Sequence, residues 1–173
     1  MTTEWGKDLM EALKKKFGEI TGENILQQDP ASKLWYLRSV FSVYPDHSAN
    51  VMIQSIVFEI KPGVQQIEVI VNITNDVEPS AEEEVMRAVN ELNYFSPVGA
   101  FGLRQGTNRL YLRNCWIVDE KEPLDTTVEK VVLYYTMMME AVQGGYEGLK
   151  KVWTGELTFE QTVEKGFLNR AND

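Results

Sequence analysis

The chain has one cysteine, one histidine and six prolines among 173 residues. A single thiol excludes an internal disulfide and any multi-cysteine zinc site, and it suits a reducing compartment. A single imidazole leaves any serine or cysteine nucleophile dependent on His47 as its base. Long apolar runs are missing too. The longest candidate, Val128 to Val142, is interrupted by Glu129, Lys130 and Glu140 and falls short of the ~20 apolar residues that a bilayer demands. The opening residues, Met1-Thr2-Thr3-Glu4-Trp5, show no basic patch followed by an apolar stretch and a small-residue cleavage site, so a cytoplasmic location is expected. Positive charge is scarce: 17 Lys and Arg stand against 26 Asp and Glu, for a net charge of -9 and a pI near 4.7. Such a surface repels polyanions and anionic lipid, which argues against nucleic acid and membrane as partners.

What is present is the composition of an ordinary globular protein, 43% hydrophobic and 25% charged. A chain of this length can bury roughly 70% of its unfolded surface, enough for a sizeable core. Trp5, Leu9, Leu13 and Phe17 recur at four-residue spacing, with Lys7, Glu11, Lys14 and Lys15 on other faces, the pattern of an amphipathic helix. After breaks at Gly18 and Gly22, the runs Leu34–Tyr44 and Val51–Ile60 flank a turn-forming stretch at 45–50 and predict an antiparallel strand pair. Pro62-Gly63 then marks a turn, and Ile67, Val69, Val71 and Ile73 alternate with polar residues in a third strand.

Ser80 with Glu83 has the spacing of a capping box, opening a helix whose stripe is Ala81, Val85, Ala88, Val89 and Leu92; Pro97 stops it. Val98–Arg104 and Arg109–Asp119 flank Gln105-Gly106-Thr107-Asn108 as a hairpin would. Thr126 with Glu129 predicts the start of a long helix with the stripe Val128, Val132, Tyr135, Met139, Val142, Tyr146, Leu149 and Trp153. Inside it, Gly144-Gly145 implies a bend or close packing. Thr158 with Gln161 predicts a short last helix pinned by Phe159, Val163 and Phe167.

No catalytic or metal-binding set accompanies this order. Asp46-His47-Ser48 are adjacent residues in a turn, which rarely aim at one reacting atom. Cys115 lies in an apolar strand, where a small buried thiol is expected. Glu82-Glu83-Glu84 complement a helix dipole, and Asn72, Asn75, Asp76 and Glu78 lack the spacing of a calcium loop. Gly99, Gly102 and Gly106 resemble a phosphate loop faintly but precede a strand and lack the lysine, so they read as hairpin punctuation. Arg104, Arg109 and Arg113 gather positive charge in one hairpin of an acidic chain. The first strand carries large side chains on both faces, Trp35, Leu37, Phe41 and Val43 on one, Leu34, Tyr36, Val40 and Tyr44 on the other. A face left uncovered by the first helix would form a patch that marks partner binding.

Within the order helix, three strands, helix, two strands, helix stand residues 88–101, Ala88-Val89-Asn90-Glu91-Leu92-Asn93-Tyr94-Phe95-Ser96-Pro97-Val98-Gly99-Ala100-Phe101, then Arg109-Leu110-Tyr111-Leu112 and the long helix after Asp125. On these residues and this order the chain resembles the YbjN-like family of the type III secretion chaperone-like fold. The resemblance implies a small cytoplasmic α+β protein, commonly a dimer, without catalytic residues or cofactor. Secretion chaperones of this fold hold an extended client segment along apolar grooves. The chain departs by adding a tail.

The expectation is therefore an α+β fold, an antiparallel sheet of about five strands with helices packed on it, over residues 1–154, followed by a helical extension, 155–173. Its expected role is a non-enzymatic, homodimeric module that binds a protein partner or extended peptide through Trp5, Leu9, Trp35, Tyr36 and Phe41, with Arg104, Arg109 and Arg113 as charge anchors. The competing expectation is a small-ligand sensor or enzyme with an apolar cavity between sheet and long helix, walled by Tyr135, Met138 and Met139.

Overall fold

Apolar alternation and turn chemistry divide the chain into six strands and four α-helices in a computed structural model, which describes residues 2–21 and 24–170. Gly22, one of the expected breaks, lies outside the described residues. The elements run α1 (Glu4–Gly18), β1 (Asn24–Gln28), β2 (Trp35–Ser42), β3 (Asn50–Lys61), β4 (Val64–Thr74), a 3-10 turn (Pro79–Ala81), α2 (Glu82–Phe95), β5 (Ala100–Arg104), β6 (Arg109–Asp119), α3 (Leu124–Trp153) and α4 (Phe159–Glu164). The strands form one sheet in the order β1-β2-β3-β4-β6-β5. β1 with β2, β2 with β3 and β5 with β6 are antiparallel. The Glu120 amide donates to the Gly63 carbonyl at 3.0 Å and the Val77 amide to the Asn108 carbonyl at 3.3 Å, so the end of β6 meets the start of β4 and the reverse, which makes that pair antiparallel as well.

The α+β class is as the sequence predicts, with six strands where about five were expected. The additional one is β1, Asn-Ile-Leu-Gln-Gln, a five-residue edge strand with no apolar alternation to reveal it. Two expected capping boxes do not form. Pro79 opens a 3-10 turn that takes in Ser80, and α2 begins at Glu82 with no side-chain cap. α3 begins at Leu124, directly after Pro123, whose carbonyl accepts the Thr127 amide; Thr126 is already inside the helix. The third box does form: Thr158 accepts the Gln161 amide at 3.2 Å, and the Gln161 side chain takes the Thr158 amide at 3.0 Å.

Two compact units interleave along the chain: Met1–Val71 with Asn114–Thr136, and Asn72–Arg113 with Met137–Asp173. β4, β6 and α3 supply residues to both. In the first unit α1 is capped by Thr3, which accepts the Gly6 amide at 3.1 Å. The helix lies against β1, β2 and β3. Its stripe, Leu9, Met10, Leu13 and Phe17, is fully buried, at roughly 1.5–3 kcal/mol for each large side chain. Beneath it β2 and β3 pair Leu37 with Ser55, Ser39 with Ile53 and Trp35 with Val57. A side-chain carbon on Gly6 would sit 3.1 Å from Val57, so glycine permits the close approach of helix to strand.

In the second unit α2 packs on β5 and α4. Asn93 joins α2 to β5 twice: its amide nitrogen donates to the Phe101 carbonyl at 3.0 Å and its oxygen accepts the Phe101 amide at 2.6 Å. The side chain thus takes the place of a further strand beside β5, the terminal strand of the sheet. α4 is held by Glu84, which accepts the Phe159 amide at 2.7 Å, and by Arg87, which pairs with both Glu84 and Glu160. The last turn is anchored by buried Leu168, whereas Phe167, the residue expected there, is exposed. Close packing by glycine occurs in α3, as anticipated, but its tightest point is Gly148. A Cβ there would lie 2.4 Å from Leu168 Cγ and 2.8 Å from the Phe167 carbonyl, whereas at Gly144 it would meet nothing.

These two glycines separate helix propensity from packing. Gly144→Ala should stabilise the protein by about 1 kcal/mol. Gly148→Ala carries the same propensity gain, so in denaturant titrations it should fall below Gly144→Ala by about 1–3 kcal/mol, the cost of displacing Leu168 and the Phe167 backbone.

Candidate functional site

Strand alternation sorts the expected contact residues by face. In the first unit the odd positions of β2 point toward α1. Leu9 and Leu37 are core residues, and Trp35, Phe41 and Trp5 are half-buried. Leu9 therefore presents no surface to a partner. Trp35 is held at its rim: Lys7 Nζ stands 5.6 Å from its ring, and the Trp35 amide donates to Thr2 Oγ1 at 3.0 Å. Trp35, Phe41 and Tyr36 thus do not share one face. Tyr36 alone of these lies on the opposite side, where Gln27 reaches its hydroxyl and the Arg38 guanidinium covers its ring at 4.9 Å.

On that opposite side Tyr36 and Val40, expected together on one face, are joined by Ile25, Met52, Ile56 and Ile60. Register places Ile25 beside Arg38, Val40 beside Met52 and Tyr36 beside Ile56. Ile25, Val40, Met52 and Ile60 are 53%, 40%, 38% and 44% exposed. Apart from Arg38, the outer positions of β1, β2 and β3 carry no charge. The signal was present in the large apolar residues at even positions of both strands, but which face the first helix would cover was open until the register was known.

In the second unit the hairpin alternates cleanly. Phe101, Leu110 and Leu112 are buried, while Arg104, Arg109, Tyr111 and Arg113 take the outer positions. The structure brings the three arginines to one face: Arg104 is the direct cross-strand partner of Arg109, and Arg113 that of Ala100. Arg109 Nε donates to Asn72 Oδ1 at 2.8 Å. The same unit has an exposed aromatic pair at the end of α2, Tyr94 and Phe95, with ring centroids 5.5 Å apart. Phe95 also lines a cleft of about 230 Å³ with Leu92, Phe101, Gly145 and Leu168.

Chemistry-bearing residues sit as follows. His47 occupies the turn with a φ of 57°, and its Nδ1 lies 2.5 Å from Ser42 Oγ, a pairing not foreseen. Ser42 Oγ donates its hydrogen to Asn50 Oδ1 at 2.8 Å. The roles of donor and acceptor between His47 and Ser42 depend on the imidazole tautomer. The trio closes the exposed turn, and Asp46 accepts the Ser48 amide at 3.0 Å. Hydrogen bonds from Ser48 hold the Asp46 carboxyl below its usual range. Cys115, expected to be buried, is exposed, because it falls on the outer parity of β6 with Ile117. Among the described residues no group of three or more His, Cys, Asp or Glu gathers in a metal-holding arrangement, and no helix is long and apolar enough to cross a membrane.

Tyr135, Met138 and Met139, the expected walls of a ligand cavity, are buried, and Tyr135 stacks on Phe17 at 4.0 Å between centroids. The Tyr135 hydroxyl makes no hydrogen bond of good geometry. Burial raises its pKa, a rise opposed weakly by nearby Ser39. No protein-family model matches this chain, and no curated protein matches it.

A buried phenol with a raised pKa contributes stability that is whole below its unfolded value of about 10 and is lost as pH climbs above it. Tyr135→Phe keeps the stack and removes an unpartnered hydroxyl, so its melting temperature should match that of the parent at pH 7 and exceed it at pH 10.5–11, checked by thermal melts across that range.

Proposed function

We propose that this chain is a non-enzymatic protein-interaction module that holds an extended segment of a protein partner on the outer face of β1, β2 and β3. The observation that carries the reading is the exposure of Ile25, Val40 and Met52, with Ile60 further along β3, on a face where β1, β2 and β3 carry one charge, Arg38. A strand surface with one side buried ordinarily turns polar residues to water. Met, aromatic and arginine side chains with lysine and acids depleted are instead the composition of interface centres. The YbjN-like, secretion-chaperone-like resemblance belongs to the same reading, since the secretion chaperones of that fold hold extended client segments. A cytoplasmic location and a homodimeric state accompany it.

A labelled 12-residue peptide repeating Gln-Ser-Leu-Ser tests it by fluorescence anisotropy. The parent protein should bind this peptide. Val40→Glu combined with Met52→Glu should weaken binding by more than about tenfold, because two charges enter an apolar contact, while the melting temperature stays close to that of the parent. Leu37→Ala, on the covered face, should lower stability by about 2–5 kcal/mol. Unchanged binding by the Val40 and Met52 double variant would remove the face from the proposal.

A further inference from the structure

We propose that the outer face of the β5–β6 hairpin is a recognition site for an acidic, extended peptide segment with carboxylates and an apolar residue at alternate positions. This rests on the reading of the chain as an interaction module and names the chemistry of one class of partner.

The first ground is an electrostatic conflict. Arg104 and Arg109 face each other directly across the hairpin. Like charges opposite one another on a strand pair disfavour the fold, and among the described residues a neutral contact, Arg109 to Asn72, answers them. The pair stands in a protein whose net charge is -9, with three of its six arginines in this one hairpin. Concentrating cations where they repel costs stability and is repaid when an anion binds between them.

The second ground is shape. Gly102 is the cross-strand partner of Tyr111, and a Cβ at Gly102 would lie 2.7 Å from Tyr111 Cζ and Oη. The tyrosine therefore lies across bare backbone and makes a low apolar floor next to the arginine pair. Gly106 and Asn108, at φ 79° and 50°, turn the chain tightly from β5 to β6 and keep the two strands in this register. On one face of a strand, successive outer side chains are about 6.6–7 Å apart, and so are alternate side chains of an extended peptide. A carboxylate over Arg104 and Arg109 thus places the residue two further along over Tyr111. Guanidinium groups match carboxylates in paired hydrogen bonds, which suits peptide acids.

The third ground concerns backbone. Phe101, on the outer edge of β5, already bonds Asn93 through both its amide and its carbonyl. Simple strand addition along that edge is blocked at this residue, so side chains on the hairpin face are the recognition elements.

Three 12-residue probes and single-stranded dT12 test the site by anisotropy with the full chain. The peptide repeating Glu-Ser-Leu-Ser should bind at least about tenfold more tightly than the Gln-Ser-Leu-Ser peptide, and its Lys-Ser-Leu-Ser counterpart more weakly than either. Arg104→Glu sets a carboxylate opposite Arg109, so it should raise the melting temperature and abolish the preference for the glutamate peptide. Equal affinity for the glutamate and glutamine peptides, or a preference that survives Arg104→Glu, overturns the site. Tighter binding of dT12 than of the glutamate peptide overturns it in favour of nucleic acid. If the Gln-Ser-Leu-Ser peptide still binds through Val40 and Met52 in either case, the interaction module stands without this site; if no peptide binds, both fall.

Discussion

Leu9, Met10, Leu13 and Phe17 of α1 are removed from water by the inner positions of β2 and β3, and most other features follow from which positions those are. A strand sends successive side chains to opposite faces, so covering Leu37 and Ser39 in β2 consigns Tyr36, Arg38 and Val40 to the other side. The strand pairing passes the choice onward. Ile53 and Val57 follow Ser39 and Trp35 inward, and Met52 and Ile56 follow Val40 and Tyr36 outward. A slip of one residue would exchange the faces and expose Val51, Ile53 and Val57 instead. The N-terminal residues fasten the arrangement: Thr2 Oγ1 donates to the Val57 carbonyl at 2.8 Å, and Thr3 Oγ1 donates to Glu120 at 2.9 Å.

The second unit solves a different problem. Its terminal strand β5 has an edge that would otherwise offer a free amide and carbonyl at Phe101, and Asn93 satisfies both. The order of residues in 88–101 thus has a physical rationale of its own. The helix end at Phe95, the extended Ser96 before Pro97, and Gly99 at φ 77° turn the chain so that Asn93 and Phe101 meet. α4 adds a polar fastening. Arg87 and Arg170 both pair with Glu160 and both lie near the Phe159 ring, at 5.6 and 6.0 Å.

Both candidate surfaces arise from the same rule of alternation, with opposite chemistry. The outer face of β1, β2 and β3 is apolar with one arginine, and that of the β5–β6 hairpin is arginine-rich around one tyrosine. Neither has the burial of a catalytic pocket. The Ser42–His47 contact, with Asn50 as its third member, lies in an exposed turn.

Local patterning by itself determined the helices, five of the six strands within a few residues, and the turn of the β5–β6 hairpin at Gln105–Asn108, because each depends on periodicity and punctuation carried within a dozen residues. It also placed Arg104, Arg109 and Arg113 on one hairpin. β1 escaped because an edge strand of Asn, Gln and two apolar residues is held by its neighbour's backbone and has no pattern of its own. The starts of α2 and α3 escaped because prolines at 79 and 123 outweigh the hydroxyl caps. The assignment of Leu9 to the interior, of Trp35 and Tyr36 to opposite faces and of Cys115 to the surface was decided by the tertiary structure. The first two depend on which face of β2 the first helix buries, and the third on which parity of β6 faces inward; both contacts join residues far apart in the chain.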